Sequence, residues 1–210
     1  MEAKLVEDSN TLKYPLCQIY DYKGKKITIS TEEDAEQPNW DASMGFLTAD
    51  YNGLNLIKNL PLTPDKIREI GGEIIDGYHI FGVDIYDHSG ICLALRGEGK
   101  SFDSWDTTTD HAFICISVEN SAKDRESARK IAEGVVENWN NYLSGEVYAY
   151  DTDNDSCGGF YGESGLKEAI SNAEDSIDWQ EKQEIKKHIA KVKAYIKKRV
   201  PLDKRKSFAF

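Results

Sequence analysis

Three stretches of this chain carry strand-forming residues on either side of a short polar turn, and that pattern restricts the fold more than any other feature. Leu16–Asp21 leads through Tyr22-Lys23-Gly24-Lys25-Lys26 into Ile27-Thr28-Ile29-Ser30-Thr31. Tyr78–Tyr86 places Phe81, Val83 and Ile85 on one face and Gly82 and Asp84 on the other. It returns through Asp87-His88-Ser89-Gly90 into Ile91–Leu95. Glu146–Tyr150 and Ser156–Tyr161 flank Asp151-Thr152-Asp153-Asn154-Asp155. Alternation with period two, interrupted by Gly, Asn and Asp, is the signature of antiparallel hairpins.

Helical periodicity appears between and after the hairpins. Thr63-Pro64 opens and Gly71-Gly72 closes a short helix, because Thr63 can cap a free N–H and Pro64 sacrifices none. Ala128, Ile131, Val135, Trp139 and Tyr142 recur at three- and four-residue steps, with Gly145 placed to stop that helix. A further strand is expected at His111–Ser117, after a loop over Arg96–Asp110. Trp40, Met44, Phe46 and Leu47 anchor a loop or short strand. Towards the end, Leu166–Ala173 reads as a short helix and Asp178–Arg199 as a longer one stopped by Pro201, with Ile185, Ile189, Val192 and Ile196 as its stripe. The expected class is α+β: an antiparallel sheet built from hairpins, a covering helix, helices on one face, and a C-terminal helical tail. The expected division is an acidic α+β domain over 1–163 and a basic helical appendage over 164–210.

Charge narrows the partners. The formal net charge is −11, yet residues 181–210 hold eleven Lys or Arg against three acids, and residues 1–180 hold 15 against 34. Such an acidic body repels nucleic acid and attracts basic surfaces, so direct nucleic-acid binding is not expected. Cys17, Cys92, Cys115 and Cys157 are widely spaced and read as reduced core thiols; zinc would need distant pairings with His79, His88 or His111. Residues 1–8 lack the basic-then-apolar order of a secretory signal, and no run is long enough to span a bilayer. The expectation is a cytoplasmic protein with no membrane partner.

Motifs for chemistry are sparse. Asp87-His88-Ser89 holds the residue types of a hydrolytic triad, but three consecutive side chains in a tight turn do not line up as a relay. Asp151-x-Asp153-x-Asp155 opens like a calcium loop, but Ser156 and Gly162 stand where such a loop needs glycine and a bidentate glutamate. Cys157-Gly158-Gly159 places a thiol beside flexible backbone, among carboxylates that disfavour a thiolate. There is no phosphate-cradling glycine loop and no H-E-x-x-H.

Three blocks over 80–162 occur together in order: Ile85-Tyr86-Asp87-His88-Ser89-Gly90-Ile91, Ser104-Trp105-Asp106, and Leu143–Tyr148 running on to Asp155-Ser156-Cys157-Gly158-Gly159-Phe160-Tyr161-Gly162. On these blocks the chain resembles a family of uncharacterised proteins carried by phages, plasmids and conjugative elements. It departs from that pattern at Gly158, where the family often has tryptophan, and at Ala149, where it has glycine. A histidine expected near Asp50 is absent from the local sequence. Pro38, Trp40 and Asp41 faintly match the family's acidic segment.

That resemblance implies a counter-defence role: an anti-CRISPR or antirestriction type of inhibitor whose acidic, nucleic-acid-mimicking surface occupies a host defence nuclease or CRISPR effector complex in the host bacterium's cytoplasm. No catalysis and no cofactor are expected on this reading. The expected contacts are Asp103, Asp106 and Asp110 in one loop and Asp151, Asp153 and Asp155 in another, with Trp105 and Tyr161 as aromatic anchors. Two alternatives stay open: a metal-dependent enzyme built from His88, Asp87, Asp106 and Cys157, and an accessory module of phage or plasmid machinery. A homodimer through the C-terminal helices is also left open.

Overall fold

A computed structural model describes residues 2–8, 16–38, 43–52, 54, 56, 60–97, 106–120 and 124–199. Trp40, Asp103, Trp105 and Pro201 lie outside the described residues. The fold is α+β; among the described residues it has two antiparallel sheets of five strands and three helices. One sheet runs in the order β1 (Lys4–Asp8), β2 (Cys17–Tyr22), β3 (Lys25–Thr31), β9 (Val147–Thr152), β10 (Ser156–Tyr161). The other runs β4 (Gly45–Ala49), β8 (Thr107–Ser117), β6 (Tyr78–Asp87), β5 (Ile74–Ile75), with β7 (Ile91–Leu95) also paired to β6.

All three expected hairpins form. In the β2–β3 turn Lys23 and Gly24 both take positive φ, 57° and 75°, as a two-residue loop between twisted strands requires. The short helix α1 (Pro64–Ile70) has Thr63 as its cap, with the hydroxyl accepting from the Lys66 N–H, and Gly71 at φ 66° ends it. Helix α2 (Arg125–Leu143) is capped by Asp124, whose carboxylate accepts the Ser127 N–H at 2.8 Å.

By contacts the chain divides into two units, each discontinuous in sequence. The central unit comprises Thr31–Ala149 and Gly158–Lys167; the terminal unit comprises Met1–Ser30, Tyr150–Cys157 and Glu168–Phe210.

In the central unit the period of two puts two sets of side chains on opposite faces of the β4-β8-β6 sheet. Phe81, Val83, Ile85, Leu47, Ile114 and Ile116 pack with Ala128, Ala132, Val136 and Trp139 of α2. Phe46, Ile80, Phe113, Cys115 and Ile75 pack with Ile67 of α1. The helices therefore cover both faces rather than one. The buried seam of α2 is also rotated by one residue from the expected stripe: Ile131, Val135 and Tyr142 are only partly buried, and alanines 128 and 132 allow the closest approach. Asn140 on the same helix satisfies both backbone groups of Leu93, donating to its carbonyl at 2.9 Å and accepting its N–H at 2.7 Å.

In the terminal unit, Lys23 at the β2–β3 turn pairs with Asp178 at 2.6 Å and Glu181 at 3.4 Å. Both acids lie on α3 (Gly162–Lys197), one continuous 36-residue helix where two were expected. Nothing in residues 174–177 breaks it, since Glu174-Asp175-Ser176-Ile177 lacks both Gly and Pro. The expected stripe on its distal half is mostly exposed: Ile185, Ile189 and Ile196 are 59%, 46% and 57% exposed, and Val192 is half-buried. No helix among the described residues is long and apolar enough to cross a membrane.

The thiol expectation is corrected in part. None of the four cysteines is in a disulfide, but only Cys115 is core, where burial pushes its thiol well above its usual range. Cys17 and Cys92 are half-buried and Cys157 is exposed.

His79 is 3% exposed on β6, and neither ring nitrogen has a hydrogen-bond partner among the described residues. An unsatisfied buried polar group costs about 1–3 kcal/mol. Replacing it as His79→Leu is expected to raise unfolding stability by about 1 kcal/mol in urea titrations, after allowing for imperfect fit. A clear loss of stability would mean that the imidazole is satisfied by a group this account lacks.

Candidate functional site

The strongest irregularity in the central unit is a bulge on β8. Val83 pairs with Ala112 and Ile85 with Thr108, so residues 109–111 stand opposite Asp84 alone. Asp110 absorbs the excess at φ 63°, a conformation that costs energy for a residue with a Cβ. Bulges of this kind re-aim side chains.

Two guanidinium groups hold the bulge. Arg96, at the end of β7, donates through Nη1 to the Asp110 carboxylate at 2.7 Å and through Nε to Asp84 at 3.2 Å. It lies over Gly82, where any Cβ would stand 3.2 Å from the guanidinium carbon, so glycine makes room for it. Arg68, in the last turn of α1, donates to the Asp110 carbonyl at 2.7 Å and to Asp50 at 2.6 Å, and it also pairs with Asp65. Asp50 in turn lies 2.9 Å from Nδ1 of His111. His111 reaches Asp50 from β8, the strand paired to β4.

Burial alone would raise the Asp50 carboxyl, but hydrogen bonds from Arg68 and His111 outweigh it and hold the group below the usual carboxylate range. Burial would likewise depress Arg96, yet Asp110 and Asp84 keep its guanidinium firmly charged. Four carboxylates (Asp50, Asp65, Asp84, Asp110) face two guanidinium groups, so the cluster retains an acidic excess. Beside it, Arg68, Arg96 and Asp110 line a cleft of about 250 Å³ with Ile67, Ile80 and Phe113.

A second histidine–carboxylate pair forms at the β6–β7 turn. His88 Nδ1 lies 3.0 Å from the Asp106 carboxylate, the Asp87 N–H donates to the Asp106 carbonyl at 3.0 Å, and Tyr51 donates its hydroxyl to Asp87 at 2.8 Å. His88, Asp87 and Asp106 therefore do converge. Cys157 belongs by contacts to the terminal unit instead. Among the described residues no three His, Cys, Asp or Glu side chains converge closely enough to hold a metal ion.

The remaining expected contacts fall in two different units. Asp106 and Asp110 lie in the central unit, each already engaged, by His88 and Arg96 respectively. Asp106 directly precedes β8 and Asp110 lies within it, since the strand begins at Thr107 rather than at His111. Asp151, Asp153 and Asp155 lie in the terminal unit. Asp151 and Asp153 are exposed, whereas Asp155 accepts hydroxyl bonds from Ser176 and Tyr150, which lower its carboxyl, and so braces its own turn. Tyr161 is half-buried, with its hydroxyl donating to the Glu36 carbonyl at 2.8 Å. It borders a cleft of about 410 Å³ with Glu32, Glu36, Gly158 and Gly159. Asp50, Arg68, Arg96 and His111 were not singled out as a group from the sequence. Their only signal there is position, polar residues at the ends of apolar strands and of a short helix.

No family model, no curated protein and no solved structure matches this chain.

Two predictions follow from the cluster. Asp110→Gly relieves the positive φ while Asp110→Ala keeps it, and both lose the Arg96 bond. The glycine variant is therefore expected to be the more stable by about 1 kcal/mol in denaturant titration; equal stabilities would contradict the strain at Asp110. The depressed Asp50 carboxyl contributes stability above its unfolded value, and that contribution is lost as pH falls through its lower folded value. Removing its main donor as Arg68→Ala leaves burial opposed by His111 alone and raises the folded value. Acid destabilisation, followed by thermal melts below about pH 5, is then expected to begin at higher pH than in the parent.

Proposed function

We propose that this chain is a binding protein of a mobile genetic element that occupies the basic nucleic-acid site of a host defence nuclease or CRISPR effector complex, with the central unit as its contact unit. One observation carries this reading: the central unit holds 23 acidic against 10 basic residues, a formal −13, while the terminal unit holds 14 against 16. The acidity that the sequence spreads over residues 1–180 is concentrated in one compact unit. A field of that sign raises the encounter rate with a cationic channel and disfavours nucleic acid itself. The resemblance to phage and plasmid proteins supplies the biological setting, the cytoplasm of an infected bacterium.

The contacts differ in part from those expected from sequence. Asp106 and Asp110 are engaged by His88 and Arg96, so they shape the acidic face more than they offer free charge. Glu33 and Asp34, just beyond β3, are exposed and add to it. Asp103 and Trp105 remain proposed contacts on sequence grounds, Trp105 as the aromatic anchor. The exposed pair Asp151 and Asp153 belongs to the other unit and is assigned no shared surface.

A second reading has its own observation. The His88–Asp106 pair and the His111–Asp50–Arg68 chain each orient an imidazole through Nδ1, leaving Nε2 as the atom for proton transfer. This arrangement favours acid–base chemistry, and it predicts turnover that His88→Ala or His111→Ala abolishes.

The test is to express the protein in bacteria carrying a nuclease-based defence and challenge them with a sensitive phage. Plaque recovery supports the counter-defence reading, and no recovery against any nuclease class, with turnover found instead, replaces it by the enzyme. For a captured nuclease, reversing Glu33 and Asp34 to Lys is expected to slow association roughly three- to tenfold at low salt, with little change in dissociation. Association indifferent to both salt and charge reversal would rule out electrostatic mimicry.

A further inference from the structure

The distal half of α3 exposes apolar side chains that its own unit does not cover. Ile185, Ile189 and Ile196 fall on one stripe at four- and seven-residue steps, and each is about half exposed or more. Residues 185–199 hold seven cations and no carboxylate. At 100° per residue, Lys186, Lys193 and Lys197 lie directly beside the stripe. A partner for this face needs apolar surface and negative charge together.

Those two properties coincide elsewhere in the same chain. Ile70 and Ile74 are 53% and 57% exposed, and among the described residues they are the two large aliphatic side chains of the central unit most open to solvent. They flank the turn between the end of α1 and β5, the edge strand of its sheet. Residues 69–77 contain Glu69, Glu73 and Asp76 and no cation. All three acids are exposed, although Asp76 meets Lys66 and Glu73 meets Arg125 at the surface. Surface pairs of that kind are weak and exchange readily.

We propose that the basic isoleucine face of α3 docks on the acidic α1–β5 edge of a second copy of this chain. The complementarity is double, isoleucine to isoleucine and lysine to carboxylate. Pairing of two distal α3 halves with each other is disfavoured, because it would set seven cations against seven. Each copy carries both halves of the contact, and in the reciprocal exchange proposed here two copies leave neither face open. This contact is separate from the nuclease reading and stands or falls without it.

The test is sedimentation velocity of the full chain at about 50 mM and about 500 mM salt, where screening differs strongly. The expected result is a species of twice 23.7 kDa at low salt that halves in mass at high salt. Three variants carry the assignment. Ile189→Glu is expected to give the monomer. A helix variant (Lys186→Glu with Lys193→Glu) and an edge variant (Glu69→Lys with Glu73→Lys) are each expected to be monomeric alone. Mixed together they are expected to recover the dimer, because each helix then meets an edge of opposite charge. All five positions are exposed, so folding is checked simply by unchanged circular dichroism. A parent that stays monomeric at low salt overturns the proposal. So does a dimer that the edge variant leaves intact, which would place the contact elsewhere. Cosedimentation with phosphatidylglycerol vesicles by a monomeric parent would assign the helix face to anionic lipid instead.

Discussion

The pairing of β8 between β4 and β6 is the constraint on which the central unit depends. A strand bonded on both sides cannot shift by one residue without turning every side chain to the other face. Here such a slip would move Ile114 and Ile116 away from α2 and Phe113 and Cys115 away from α1. Both cores are therefore fixed by one register. The bulge at residues 109–111 lies where β8 passes from its buried end, 112–117, to its exposed beginning. Arg68 and Arg96 reach that point from α1 and β7, so the polar cluster exists only because the two cores place those elements there.

The hairpins were legible because their information is local. Turn residues with positive φ, such as Gly24, and alternation along Phe81-Val83-Ile85 act within a few residues of one another. Strand β1 was missed because Lys4-Leu5-Val6-Glu7-Asp8 is exposed throughout and does not alternate. Strand β5, only two residues long, lies below what periodicity can register. Helix α3 was divided in two because its stripe drifts: the proximal half buries Ala169, Ala173 and Ile177, whereas the isoleucines of the distal half project to solvent.

The candidate site was half legible. His88, Asp87 and Asp106 were named together, and the structure brings them together. The His111–Asp50–Arg68 chain was not, because its members come from three elements separated by up to 61 positions and meet only through the register of β8. The acidic loops were treated as one kind of contact, yet they belong to different units and play different parts. Asp155 is bound into its turn, Asp110 is strained and clamped, and Asp151 and Asp153 are exposed. Net charge could be counted from the sequence, but its confinement to one unit required knowing which distant segments pack together.

The proposed role makes the central unit a substitute for a polyanion, and a substitute must exclude what it imitates. Competition on the captured nuclease measures this directly: a labelled nucleic-acid substrate is bound first, and its displacement by increasing amounts of this protein is followed by fluorescence anisotropy. The account predicts complete displacement, with the apparent affinity of each ligand falling as the other is raised. A ternary complex of nuclease, substrate and protein, with the substrate's affinity unchanged, would contradict it.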